Sequence, residues 1–140
     1  MPYSPLLVKP MREELTAVGF QELMTAADVD RWINEGGSGT SFLVINSVCG
    51  CAAGMARPGV RLALDNDKKP ARLATVFAGQ DVDATAQARA KIPDVPPSSP
   101  SMALFKDGEL VYFVPRHRIE GRGPEDVAAD LKGAFDEYCG

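Results

Sequence analysis

The chain has 140 residues, 45% of them hydrophobic, and a formal net charge of -4. That is the size of one domain, residues 1–140, with enough apolar side chain for a core. The mild negative balance offers no basic face for nucleic acid and no attraction to an anionic membrane surface.

No apolar run approaches the roughly 18 residues of a membrane span. The opening Met1-Pro2-Tyr3-Ser4-Pro5 has neither the basic region nor the apolar stretch of a secretory leader. The expectation is a cytoplasmic protein with no membrane partner. In that compartment, cysteines close in sequence are more often catalytic or metal-binding than structural. The three here are Cys49, Cys51 and Cys139, an odd count that fits poorly with a disulfide framework.

Along the chain, Leu7, Met11, Leu15 and Val18 stand at helical spacing within Leu6 to Phe20, and Gly19 is a stop. Pro10 is placed in the first turn, so the regular helix is expected to begin near Lys9. A second short helix spans Ala26 to Asn34, with Thr25, Ala26 or Asp28 near its start and Gly36-Gly37 at its end. Ser41 to Asn46 is rich in β-branched and aromatic residues and nearly continuous in apolarity, which suits a central strand covered on both faces. Cys51 to Leu64 reads as a helix that Pro58-Gly59 should kink or end. Ala71 to Ala78 is a strand and Val82 to Ala90 a helix opening at Asp81 or Asp83. Residues 94 to 101, rich in proline and serine, form a shaped loop. Met102 to Phe105 and Leu110 to Val114 are strands joined at Asp107-Gly108, a strong hairpin signal. Pro124 to Tyr138 is a helix with Glu125 and Asp126 at its positive end and Val127, Leu131 and Phe135 as an apolar stripe.

The order α-α-β-α-β-α-β-β-α implies parallel strands joined by right-handed crossovers, then an antiparallel hairpin. The expected fold is α/β: a four-stranded mixed sheet with helices on both faces. In such sheets chemistry collects beyond the carboxyl ends of the strands. Cys49-Gly50-Cys51 stands at that place, between the first long strand and the following helix. A helix N-terminus presents unpaired N–H groups and the positive end of a dipole, and both favour the reactive thiolate. Gly50 lets the backbone turn and leaves room beside the sulfur. Cys49, nearer the loop, is the expected nucleophile, and Cys51, further into the helix, the optional resolving thiol. A disulfide across one intervening residue closes a small ring, which should make it relatively oxidising.

Two other readings compete. The cysteines are small buried hydrophobes, or they bind metal. A closed zinc site needs four ligands, and only Cys139 and His117 remain as soft candidates, neither at a recognisable spacing. No bound metal is therefore expected.

Ser99-Pro100-Ser101-Met102-Ala103-Leu104-Phe105-Lys106-Asp107-Gly108-Glu109 resembles thioredoxin, in which a cis proline precedes a strand ending in a Phe-Lys-x-Gly-Glu hairpin. The resemblance implies a thioredoxin-like fold with Pro100 cis and facing the cysteines. Ser99 would then offer its backbone to a substrate chain by short strand pairing. The cysteine region departs from thioredoxin's Trp-Cys-Gly-Pro-Cys. Instead, Val44 to Gly54, Arg57-Pro58-Gly59, Val114-Pro115-Arg116-His117 and the ending Phe-Asp-Glu-Tyr-Cys-Gly are similar to the bacilliredoxin family over nearly the whole chain. That family implies removal of the low-molecular-weight thiol bacillithiol from protein cysteines. Its first cysteine, Cys49 here, attacks and carries the thiol away. It implies no tightly bound cofactor, with the small thiol as co-substrate and thiolated proteins as partners. Some members show weak disulfide reductase or isomerase activity, so a general reductase using Cys49 and Cys51 is the alternative, and a metal carrier the other.

Asn46 and Ser47 are loop and helix-capping types that would also line the cysteine pocket with Gly50. His117 with Arg116 and Arg118 reads either as a solvated helix start or as a positive patch for carboxylates, and the first reading is preferred. Arg57 is too far along the helix to touch Cys49. Trp32 belongs to the core. Cys139 is either a frayed surface thiol or a third redox partner near Cys49.

Overall fold

A computed structural model describes residues 3–140; Met1 and Pro2, part of the leader reading, lie outside the described residues. Helix α1 runs Pro5–Thr16, so it starts at Pro5 and not near Lys9. Pro5 costs nothing in the first turn, where its missing N–H would have had no partner. Pro10 stands inside the helix, which survives because Val8 and Leu15 are anchored in the core.

Two residues, Gln21–Glu22, form a short strand β1. It pairs in parallel with β3, Arg72–Phe77, and makes the sheet five-stranded where the sequence reading has four. A two-residue strand carries no periodicity from which to read it. Helix α2, Ala26–Glu35, is capped by Thr25, whose hydroxyl accepts the Asp28 N–H while the Asp28 carboxylate accepts the Thr25 N–H.

Strand β2, Thr40–Asn46, is buried along its whole length. It lies parallel to β3 and antiparallel to β4, Ser101–Lys106, which in turn pairs with β5, Glu109–Val114. The sheet order is β1-β3-β2-β4-β5. Asp107 and Gly108 both take positive φ, 55° and 81°, which the tight turn between β4 and β5 requires.

Alternation along the strands splits the core. Phe42, Val44, Met102 and Leu104 face one way, against α3 (Arg57–Ala63) and α5 (Pro124–Tyr138). Leu43, Ile45, Ala103 and Phe105 face the other, against α2 and α4 (Val82–Ala90). Trp32 sits in that second layer as expected, 2% exposed, with the Arg72 guanidinium 4.7 Å from its ring. Phe42 and Phe135 meet edge to face at 5.4 Å, which ties α5 to the sheet.

The helix after the cysteines is not broken by Pro58. Helical turns begin at Gly50, pass through a π-helical stretch at Ala52–Ala56 and continue as α3. The Arg57 N–H reaches back five residues to the Ala52 carbonyl. The wider turn places Pro58 in the opening turn of α3, where a proline is tolerated. Gly59 lets α3 and α5 approach closely: a Cβ there would lie 2.8 Å from Val127. Among the described residues, no helix is long and apolar enough to cross a membrane.

Candidate active site

β2 delivers the chain to one end of the sheet, and the cysteine loop is built there by a sequence of short hydrogen bonds. The Asn46 side-chain oxygen accepts the Ser47 N–H at 2.8 Å. The Ser47 hydroxyl accepts the Cys49 N–H at 3.1 Å. Neither residue caps the helix; both brace the loop before it. The Cys49 carbonyl begins the helix by accepting from Ala52 (2.9 Å) and Ala53 (3.2 Å). Cys49 thus stands at the helix N-terminus, and the Cys51 N–H points at its sulfur at 3.3 Å. A donor in that position favours negative charge on the sulfur.

Cys49 is part-exposed, Gly50 is exposed and Cys51 is buried at 6%. The two sulfurs are joined as a disulfide across Gly50, with Cα atoms 5.3 Å apart. Of the pair, Cys49 is the sulfur a second molecule can reach.

The Ser99–Pro100 peptide is cis. The ladder pairs Ile45 with Ser101 and Met102 with Val114. Extended by one step the first register puts Pro100 beside Asn46, and extended by two the second puts Arg116 beside Pro100. The proline loop, the start of the cysteine loop and the segment after β5 therefore share one end of the sheet. Ser98 and Ser99 are held there by Arg116: its N–H donates to the Ser98 hydroxyl at 3.2 Å, and its guanidinium to the Ser99 carbonyl at 3.4 Å. Next to them a groove of about 380 Å³ is lined by Val95, Pro96, Pro97, Phe113, Pro115 and His117.

The charged cluster after β5 is largely paired within the chain. Arg116 meets Glu120 at 3.2 Å, and Arg118 and Arg122 both meet Asp130. Arg122 holds the Asp130 carboxyl below the usual carboxylate range. His117 is exposed on a short 3-10 turn, Arg116–Arg118.

Cys139 fits neither expectation for it. It is 4% exposed, so it is not a frayed surface thiol. It also lies at the opposite end of the sheet from Cys49, against Thr40 and Lys106. Burial pushes its thiol up, against the pull of the Thr40 hydroxyl and the Lys106 charge. It cannot join Cys49 and Cys51 as a ligand, and among the described residues no group of three or more His, Cys, Asp or Glu is placed to hold a metal ion.

Arg57 does not touch Cys49, but its place is unexpected. It is buried at 1%, and one guanidinium nitrogen donates to both the Asn46 side-chain oxygen and the Ser47 carbonyl, each at 2.9 Å. Its Nε lies 3.3 Å from a Glu14 oxygen on α1, close enough for charge pairing though not aligned as a hydrogen bond. An arginine beside a proline reads as surface, and only the π-helical turn brings it under the loop. The one signal available in the sequence is Arg57-Pro58-Gly59 itself.

Comparison with known proteins agrees with this construction. A family model described as disulphide isomerase matches residues 3–139. A bacilliredoxin of Shouchella clausii is 53% identical over 137 residues, covering 98% of this chain and 94% of that relative. One of Geobacillus kaustophilus is 52% identical over 139 residues, covering 99% and 95%. Among solved structures, Fasciola hepatica thioredoxin superposes with a TM-score of 0.60 at 21% identity, covering 85% of this chain and 99% of that one. Oxidised Plasmodium falciparum thioredoxin gives 0.57 at 17%, covering 87% and 100%. The fold is thioredoxin-like, and with a Cys49–Cys51 pair at the start of its helix and these relatives along its full length, the chain belongs to the bacilliredoxin family of thiol–disulfide oxidoreductases.

Proposed function

We propose that this protein removes a low-molecular-weight thiol, bacillithiol in cells that make it, from mixed disulfides on protein cysteines. The Cys49 thiolate attacks the small-thiol sulfur. The old S–S bond breaks, the protein cysteine leaves as a thiolate and takes a proton from water, and the small thiol is now disulfide-bonded to Cys49. Either a free small thiol attacks the small-thiol sulfur of the adduct, freeing the Cys49 thiolate and leaving as the oxidised thiol dimer, or the Cys51 thiolate attacks the Cys49 sulfur, releases the small thiol and leaves the Cys49–Cys51 disulfide. Two equivalents of a free low-molecular-weight thiol reduce that disulfide, the first opening it as a mixed disulfide and the second leaving with it as the oxidised thiol dimer, so no tightly bound cofactor is needed. Such a cycle suits the cytoplasm, where a reducing thiol pool is available.

The observation that carries the reading is the unequal pair: a reachable Cys49 sulfur facing a helix N–H, above a buried Cys51. The name shared by the relatives supports bacillithiol as the thiol. Asn46, Ser47 and Gly50 shape the loop, and Ser99 and Pro100 receive the protein substrate. Intact-mass analysis of a bacillithiolated target mixed with the protein tests this. The wild type is expected to strip the adduct and Cys49→Ser to leave it; removal by Cys49→Ser would end the reading.

A second reading, general disulfide reduction or isomerisation through Cys49–Cys51, is favoured by the formed disulfide and by the matching family's description. Redox titration with alkylation at each step separates the two. Activity that persists in Cys51→Ser belongs to the single-thiol route.

A further inference from the structure

Arg57 is a cation in a place where a leucine or methionine would cost less. Burying a guanidinium is unfavourable unless oxygens replace its water. Here three do: the Asn46 side chain, the Ser47 carbonyl and the Glu14 carboxylate. Two of the three belong to the segment that leads into Cys49. Asn46 oxygen, Ser47 N–H, Ser47 hydroxyl and Cys49 N–H follow one another from the guanidinium to the cysteine. Asn46 is also tied to α1, through its amide on the Met11 carbonyl at 3.3 Å. Thus α1, the cysteine loop and α3 meet at one charge pair, of which Arg57 is the buried member and Glu14 the half-buried one.

We infer that Arg57 and Glu14 are an opposed pair of positioning residues that sets how readily Cys49 ionises. The inference rests on Cys49 being the attacking thiol. Arg57 fixes the loop and places a permanent positive charge behind it. Glu14, on the solvent side of the pair with its side chain 34% exposed, offsets part of that charge. Low dielectric around a buried site lets the net charge act on a sulfur beyond contact distance. The other charged groups at this end of the sheet are Arg12 with Glu22 and Asp81, Arg89 beside Ile45, Ser98 and Ser101, and Arg116 and His117 after β5. Arg116 is matched by Glu120 and adds little net charge, whereas Arg12 is shared by Glu22 and Asp81 and leaves one negative charge in excess, the same in every variant compared.

The pair predicts shifts of opposite sign, which a purely structural role does not. Removing Glu14 leaves Arg57 unopposed and favours the thiolate. Removing Arg57 leaves a carboxylate facing the loop and disfavours it. The test measures the iodoacetamide alkylation rate of Cys49 against pH, by peptide mass mapping, in reduced full-length protein carrying Cys51→Ser and Cys139→Ala. Glu14→Gln should lower the midpoint by roughly half a pH unit and Arg57→Gln should raise it by about one. Arg57→Lys, which keeps the charge but not the forked contact, should return the midpoint most of the way. Glu14→Gln alters a part-exposed side chain and keeps the test available if the Arg57 variants do not fold. Midpoints unchanged, or moved in the same direction by both substitutions, would overturn the inference. Labelling of Cys51 or Cys139 ahead of Cys49 in the reduced wild-type protein would instead overturn the choice of nucleophile.

Discussion

Three cysteines in one short chain have three different environments, and environment sets what each does. Cys49 has a helix start and solvent, Cys51 has burial and the sulfur of its neighbour, and Cys139 has burial without a redox partner. A thiol reacts as its thiolate, so Cys139 in the reduced protein should alkylate about two orders of magnitude more slowly than Cys49 near neutral pH. Timed labelling followed by peptide mapping checks this. The raised Cys139 pKa also has a stability consequence. The folded state holds this proton to higher pH than the unfolded chain, whose thiol ionises near about 8.5. The contribution is therefore complete below about pH 8.5 and is lost as pH rises through the folded value. Cys139→Ala should show a smaller fall in urea midpoint than wild type between about pH 7.5 and pH 9.5.

At the scale of elements, the α3–α5 contact is the most exacting. Gly59 has Val127 Cβ and Cγ1 at 2.8 Å and the Pro124 carbonyl at 3.1 Å from the position of an added Cβ. Neither backbone carbonyl nor a β-branched side chain yields cheaply. Gly59→Ala should therefore destabilise by about 1–3 kcal/mol through overpacking, despite the better helix propensity of alanine. Chemical denaturation of the variant measures it, and a gain in stability would show that α5 moves freely. Because α3 continues the helical turns that begin at the cysteines, loosening this contact should also slow Cys49 chemistry. The proline loop shows the opposite economy: Ser98 and Ser99 are held mainly by Arg116 and by the Ser101 hydroxyl, which donates to the Ser98 carbonyl at 2.9 Å.

Across the whole molecule, α1 is joined to the far side of the sheet by Arg12. Its guanidinium meets Asp81 through two hydrogen bonds, 2.9 and 2.7 Å, and Glu22 at 3.1 Å, and it lies 5.3 Å from the Phe77 ring. Asp81 also accepts the Phe77 N–H at 3.3 Å. One residue thus links α1, β1, the end of β3 and the start of α4. Arg12→Met leaves the buried Asp81 carboxylate unpaired and should cost about 2–3 kcal/mol, somewhat less than for a fully buried pair. The urea midpoint should fall with little change in slope. Retention of wild-type stability would mean that water serves Asp81 as well as Arg12 does.

The sequence by itself determined the parts whose physics is local. The unbroken apolar run of β2, the Asp107-Gly108 turn, α4 and the striped α5 are legible because periodicity, turn chemistry and end charges act within a few residues. The Cys49-Gly50-Cys51 loop was legible for the same reason, and the Ser99-Pro100 cis bond through its resemblance to thioredoxin. Tertiary structure decided the rest. Strand β1 exists only because β3 offers an edge, Pro10 stays helical because the core holds Val8 and Leu15, and Pro58 is absorbed by a π-helical turn. Arg57 under the loop and Cys139 at the far end of the sheet depend on contacts between elements distant in sequence. Burial and charge pairing are sums over such neighbours, and spacing along the chain does not carry them.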